Sequence, residues 1–192
     1  FEGTNEINRL LIPGMLMKKA LKGELPLLAA AKALQDEVMS PSMPVTGASD
    51  EVLGDQARAV AAFKKVVLLV AGTAMQRYGA KIEQEQEVLS FLADILIDTY
   101  ASESAVLRAQ DASARGMATA AHHQDAAAVF VNEAAGRIDM AARNALAAMA
   151  DGDTLRTQLA ALRRLLKVIP VNAVVMRRRL ADAAVAKGGY LF

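Results

Sequence analysis

The sequence predicts an all-α fold, a bundle of long antiparallel helices. Three observations carry that prediction. Apolar residues recur at three- and four-residue spacing through stretches of two dozen residues or more. Ala, Leu, Glu, Lys, Gln and Arg dominate, whereas aromatic residues make up only 4%, so little alternation of the kind strands need is present. Only five prolines interrupt 192 residues. With 54% hydrophobic and 22% charged residues, the chain can bury a core of its own, and the composition excludes intrinsic disorder. It begins with Phe1 rather than Met and opens on no signal-like segment, which suggests a piece of something longer.

Thr4 or Asn5 can cap a first helix through Ile7, Leu10 and Leu11. Pro13-Gly14 is expected to kink or break it, because proline cannot donate to the carbonyl four residues back. Apolar spacing resumes at Met15, Leu16 and Ala20, and a turn at Lys22-Gly23 leads into a helix from Leu27 to Met39. Residues 40–50, containing PSMPVTGASD, read as the clearest linker. A helix over residues 51–78 follows, with Val60, Phe63, Val67 and Val70 on one face and Gly79 as its stop. The next, over 83–115, would be on the order of 45–50 Å long; Val88, Leu92, Ile95, Leu96 and Thr99 mark its packed face, and Glu83, Glu85 and Glu87 its charged start. An alanine-rich helix over 117–150 suits close approach to a neighbour. Asp153 or Thr154 is expected to cap residues 155–168, Pro170 to end them, and Asn172 to cap a last helix to Lys187. Short links between such helices favour antiparallel neighbours. No internal repeat is evident.

Charge is balanced over the whole chain, at +1, but not along it. From Thr154 onward eight bases (Arg156, Arg163, Arg164, Lys167, Arg177, Arg178, Arg179, Lys187) face one acid, Asp182, for a local charge of +7, leaving −6 before it. An internal charge match is the expected use of this asymmetry. The overall balance argues against a nucleic-acid binder. Cysteine is absent, so there is no disulfide framework, thiolate zinc site or cysteine nucleophile. The densest apolar run, Val66 to Met75 behind Lys64 and Lys65, is near ten residues, short of the roughly 20 a bilayer span needs. A peripheral amphipathic contact could use residues 25–38, with Leu27, Leu28, Ala31 and Leu34 on one side and Lys32, Gln35 and Asp36 towards the other; packing against the body is the favoured reading of that stripe.

Within the body no residue set points to chemistry. His122 and His123 are adjacent and diverge by roughly 100° on a helix, so they cannot chelate together, and no metal site is expected. Asp94 and Asp98 share a face at i, i+4 and read as partners for Lys or Arg on a neighbouring helix. No P-loop, dinucleotide fingerprint, serine elbow or zinc spacing occurs. The opening differs. Phe1-Glu2-Gly3-Thr4-Asn5-Glu6-Ile7-Asn8-Arg9 puts an acid before a glycine and a hydroxyl cap at a helix start, where backbone amides can meet an anion and glycine permits close approach.

FEGTNEINR resembles the signature near the end of the catalytic core of acyl-CoA dehydrogenases, flavoenzymes that desaturate acyl-CoA thioesters. Residues 85–109, EQEVLSFLADILIDTYASESAVLRA, with the alanine-rich helix and the GGYLF ending, resemble the extra C-terminal helical domain of the very-long-chain branch of that family. The resemblance implies that Glu2 is the catalytic base that removes the substrate α-proton, that Phe1 and Gly3 flank it where the thioester passes, and that Thr4, Asn5 and Glu6 lie along FAD. Such a base works best desolvated, beside an oxyanion-stabilising contact; in the family this includes the backbone N–H at the glutamate's own position.

The same resemblance divides the chain into 1–22 (end of the catalytic helical domain), 23–50 (helix and linker) and 51–192 (appended helical domain). It implies an acyl-CoA substrate, FAD as cofactor, an electron-transfer flavoprotein as electron acceptor, a homodimer and a peripheral membrane contact. The expected location is the cytoplasm, with membrane association, or the mitochondrion if the source is eukaryotic. The parts of the family's fold that hold FAD and CoA have no counterpart here, so this chain alone is expected to be inactive. The alternative is a non-catalytic helical interaction module for dimerisation or peripheral membrane attachment.

Overall fold

A computed structural model describes residues 4–39 and 51–192. Among them the regular structure is helical throughout. Seven α-helices run in chain order: α1 (Asn5–Leu21), α2 (Leu27–Met39), α3 (Gly54–Tyr78), α4 (Gln86–Ala114), α5 (Ala120–Met149), α6 (Gly152–Leu165) and α7 (Ala173–Lys187). A 3-10 turn, Gly79–Gln84, joins α3 to α4. The linker expected over 40–50 lies outside the described residues.

Side-chain partners fix the directions. Ser113 and Gln124 meet at one end of the α4–α5 pair and Asp98 and Arg137 further along it, so the two helices run antiparallel. Lys64 reaches Glu103 while Gln110 reaches the Val52 carbonyl, which makes α3 antiparallel to α4. Glu37 with Lys65, and Ala31 against Gly72, do the same for α2 and α3. The core lies among α3, α4 and α5. Phe63, Val66, Val70, Leu92, Ile95, Ile138 and Leu146 are fully buried there, joined by Met17 from α1 and Leu162 from α6.

Close approach follows from the small side chains. Ala134, Ala142 and Ala145 on α5 and Ala71 and Ala74 on α3 have no exposed surface, so the helix backbones come near one another without large side chains between them. Leu27 and Leu34 of α2 turn inward, while Lys32, Gln35 and Asp36 face solvent. Ala31 of the same stripe stands against Gly72 of α3.

α3 and the turn after it, Gly54–Gln84, are long and apolar enough to cross a membrane. Half of the apolar stretch is buried inside the protein, and Lys64 and Lys65 of α3 pair with Glu103 and Glu37 on flanking helices. α3 is the central core helix of the bundle. Its dense apolar run, Val66 to Met75, lies in the bundle core, with Val66, Val70, Ala71 and Ala74 fully buried.

Several expected ends shift. α1 is not broken at Pro13-Gly14 but runs on to Leu21. Proline removes one bond, and Pro13, Met17 and Ala20 bury their surface against the bundle, which outweighs it. α3 starts at Gly54 rather than residue 51, because Leu53 adopts a left-handed conformation (φ 57°). Gly79, with φ +52°, stops α3 as expected. The turn it begins takes up Glu83 and Gln84, so α4 starts three residues late, with Glu85 as its cap and Glu87 in its first turn. The N-cap position of α6 falls on Asp151, whose side chain makes no capping bond, and not on Asp153 or Thr154; the helix ends at Leu165, five residues before Pro170. Its end is set by Leu166, which leaves helical geometry. Asn172 does cap α7, its Oδ1 accepting from the Val175 N–H at 3.1 Å.

A Cβ placed on Gly72 would stand 2.8 Å from the Ala31 Cβ, closer than two carbons can pack. Gly72→Ala is therefore expected to push α2 off α3 and lower the unfolding free energy by about 1–3 kcal/mol, read by urea denaturation. Adding Ala31→Gly should bring stability back near the parent, since helix propensity gained at one site is lost at the other.

Candidate functional site

The chain's strongest chemical motif runs into the N-terminus of α1. Phe1, Glu2 and Gly3 lie outside the described residues. Thr4 is the N-cap: its backbone is extended (φ −79°, ψ 153°) and its Oγ1 accepts from the Ile7 N–H at 3.5 Å. Asn5 and Glu6 open the helix, both exposed. The structure thus brings Thr4, Asn5 and Glu6 together at one helix start. An N-terminal turn concentrates unpaired backbone N–H groups and the positive end of the helix dipole. A hydroxyl and a carboxamide standing there can each donate and accept. Glu6 can only accept while ionised, so it suits a hydroxyl or amine and not a phosphate.

Behind this turn, α1 is held to the bundle by an ion pair. Arg9 meets Asp94 of α4, each side chain about one-third exposed. One helical turn further along α4, Asp98 receives three hydrogen bonds from Arg137 of α5, at 2.7 to 3.2 Å. The Arg137 guanidinium also lies 5.5 Å from the centre of the Phe130 ring. Its hydrogen bond to Asp98 holds it above the ordinary arginine range, with burial opposing. The i, i+4 acid pair read from the sequence thus bridges α4 to a helix on either side.

His122 and His123 are neighbours on α5. Among the described residues no cluster of three or more His, Asp or Glu could hold a metal ion. His123 is buried, with its ring 4.5 Å from the Phe192 ring, which meets Tyr190 edge-on at 5.5 Å. Leu191 is buried as well, and Lys187 donates to its carbonyl. Residues 190–192 therefore fold back onto α5. Burial, followed by the charges of Arg108 and His122, pushes the His123 pKa down. The one hint of this contact in the sequence is three apolar residues after a glycine pair.

The basic tail is matched internally in part. Arg177 pairs with Glu133, and Arg179 with Asp125 at 2.8 Å, both across to α5. Arg164 caps α2 by donating to the Val38 carbonyl. Ile169, in the link between α6 and α7, is 86% exposed.

The family model described as "Acyl-CoA dehydrogenase, C-terminal domain" matches residues 62–164, from within α3 almost to the end of α6. The chain belongs to the acyl-CoA dehydrogenase family. A probable acyl-CoA dehydrogenase of Bacillus subtilis (strain 168) is 46% identical over 184 residues, which is 94% of this chain and 30% of that protein. A crystal structure of an acyl-CoA dehydrogenase from Bacillus anthracis, complexed with FAD, superposes with a TM-score of 0.90 at 41% identity. That match covers 97% of this chain and 31% of the other. The chain therefore spans just under a third of the length of these relatives.

Two measurements test these contacts. Asp98→Ala should cost about 1 kcal/mol, because Asp98 is only 14% exposed and its partner half exposed. Asp153→Ala should stay within about 0.5 kcal/mol, since the Asp153–Arg156 pair is almost fully solvated. His123 also makes stability depend on pH. Its folded pKa lies below the unfolded value near 6.5, so below that value the unfolded chain binds more protons than the folded one. Stability is then full above about pH 6.5 and falls as pH drops towards the folded pKa. His123→Phe should reduce that acid-side slope in denaturation curves between pH 7.5 and 5.

Proposed function

We propose that the chain is the carboxyl-terminal part of an FAD-dependent, long-chain acyl-CoA dehydrogenase that introduces a Cα–Cβ double bond into acyl-CoA thioesters during fatty-acid β-oxidation. The observation that carries this reading is the FEGTNEINR segment, placed so that Thr4 caps α1, in a chain whose helical body belongs to the family. The very-long-chain branch is supported by the resemblance of residues 85–109 and by the extent of the helical body. In this reading residues 1–22 end the catalytic domain, 23–50 connect, and 51–192 form an appended domain.

Glu2 stands two residues before the cap. As base, its carboxylate takes the α-proton, which the thioester carbonyl acidifies. Its own backbone N–H supports the charge that develops on that oxygen. Phe1 and Gly3 border the thioester, and glycine leaves room for it beside the backbone. When bound, FAD accepts the hydride that leaves the β-carbon. Thr4 and Asn5 fit such a group, since both present polar atoms at an exposed helix start; Glu6 fits one of its hydroxyls. An electron-transfer flavoprotein is the proposed acceptor, a homodimer the proposed assembly, and the cytoplasm, or the mitochondrion of a eukaryote, the proposed location.

A base of this kind needs a desolvated carboxylate with a raised pKa. That environment has to come from the remaining two-thirds of the relatives' length, so the isolated chain is proposed to be inactive. A second reading, a helical module for dimerisation or peripheral membrane attachment, is favoured by Ile7, Leu11 and Met15. These form an exposed apolar row on α1, each more than half exposed. The two readings are compatible in a complete protein.

Anaerobic absorption spectra separate them. The complete protein should be yellow and bleach when a long-chain acyl-CoA is added, while the isolated 192-residue chain should be colourless and unchanged. Glu2→Gln in the complete protein should retain FAD and lose flavin reduction by substrate. Reduction at the parental rate in that variant would remove Glu2 from the role of base.

A further inference from the structure

We infer that Asp94, within the helical body, is a positioning residue for Glu2, acting through Arg9 and the helix that follows Glu2 in the chain. The inference rests on the reading of Glu2 as base and goes beyond it, by assigning the body a part in catalysis through a single side chain. Three features of α1 carry it.

First, α1 is anchored unevenly. Its buried residues are Pro13, Met17 and Ala20, all in the second half. In the first half Asn5, Glu6, Ile7, Asn8, Leu11 and Ile12 are exposed. Among the described residues, only Arg9 and the partly buried Leu10 tie that half to the bundle. Second, the helix has a weak point between the halves. Pro13 has no N–H, so the carbonyl of Arg9 receives no bond from the residue four ahead. Interior prolines are where helices bend. Within this chain the half that leads to Thr4 is therefore the less firmly held of the two. Third, the one ion pair between α1 and α4 is made by the residue whose carbonyl lost its bond: Arg9 meets Asp94. The stretch of α4 that presents Asp94 is braced one turn on, where Asp98 receives three hydrogen bonds from Arg137 of α5. The pair thus replaces, from outside the helix, the stiffness that proline removed from within it.

A base must reach the α-carbon at a near-attack distance, and a misplacement of 1 Å can cost on the order of a hundredfold in rate. Loosening the first half of α1 should therefore act on the chemical step more than on binding. The test uses the complete, FAD-loaded protein with a long-chain acyl-CoA. Asp94→Asn is expected to lower kcat by roughly tenfold. KM, the FAD content and Tm should stay near parental, and the pH profile of kcat should shift as the base changes surroundings. Arg9→Gln should match it, and the double variant should be no worse than either single one, as for two residues acting as a unit. Adding Pro13→Ala to Asp94→Asn restores the missing helix bond and should recover most of the lost kcat.

Asp94→Asn with parental kcat and pH profile would overturn the inference. So would a loss of kcat that tracks loss of FAD or of Tm, because that is a folding effect. Glu2→Gln run alongside separates the two levels. An inactive Glu2→Gln with a normal Asp94→Asn overturns only the positioning role, whereas an active Glu2→Gln overturns the base reading and the inference with it.

Discussion

The whole arrangement depends on how closely α3, α4 and α5 approach. A chain with 4% aromatic residues cannot fill wide gaps between helices, so its backbones must come near enough for alanine and valine to pack. Ala71, Ala74, Ala134, Ala142 and Ala145 sit at the contacts with no exposed surface. Among the described residues Phe63 is the one aromatic ring in the set of large, fully buried side chains that also holds Met17, Leu92 and Ile138. Close backbones multiply weak dispersion contacts over the length of α4 and α5, and that sum takes the place of large buried side chains. The same closeness leaves no room for unpaired charge between helices. Asp94 and Asp98 are tolerated at the edges of the α4 interfaces because arginines from α1 and α5 reach them. Gly72 shows the limit of the principle, where α2 lies so near α3 that even a methyl group has no place.

Most of this fold was legible because long amphipathic helices state their period many times over. The buried faces of α3 and α4 are the ones spaced at Val60, Phe63, Val67 and Val70, and at Val88, Leu92, Ile95 and Thr99. Ends were less legible, for local reasons. Leu53 in a left-handed conformation delays α3, and no residue type advertises that, since leucine is a poor choice for it. Gly79 was read correctly as a stop, but the 3-10 turn behind it absorbed two residues of the next helix. Pro13 misled in the other direction. A proline rule counts a lost hydrogen bond and a clash, whereas the burial of Pro13 itself belongs to tertiary structure, which the local pattern does not contain.

The candidate site was legible as a motif and not as an environment. Thr4 as cap and an acid pair seeking cationic partners could both be read from spacing, and the helix start and the pairs to Arg9 and Arg137 followed. That Arg9 would be the partner of Asp94 was not readable, because the two lie 85 positions apart in the chain. Nor was the seat of Phe192 on His123, since a short apolar ending has no period from which to infer a direction.

α1 explains why a motif and a helical body so different in character belong together. Its two sides face opposite ways. Pro13, Met17 and Ala20 pack into the bundle, while Ile7, Leu11 and Met15 form a second apolar row on the other side. A helix that is apolar on both sides is built to lie between two masses and not on the surface of one. The change in sequence character after residue 22 is therefore not a seam in the packing, because α1 shares a core with α3 and α4 through Met17 and Leu10. A residue carried just before such a helix inherits its position from whatever holds the helix on each side. On the side described here that holder is α4, whose Asp94 and Asp98 are both paired with arginines, from α1 and α5.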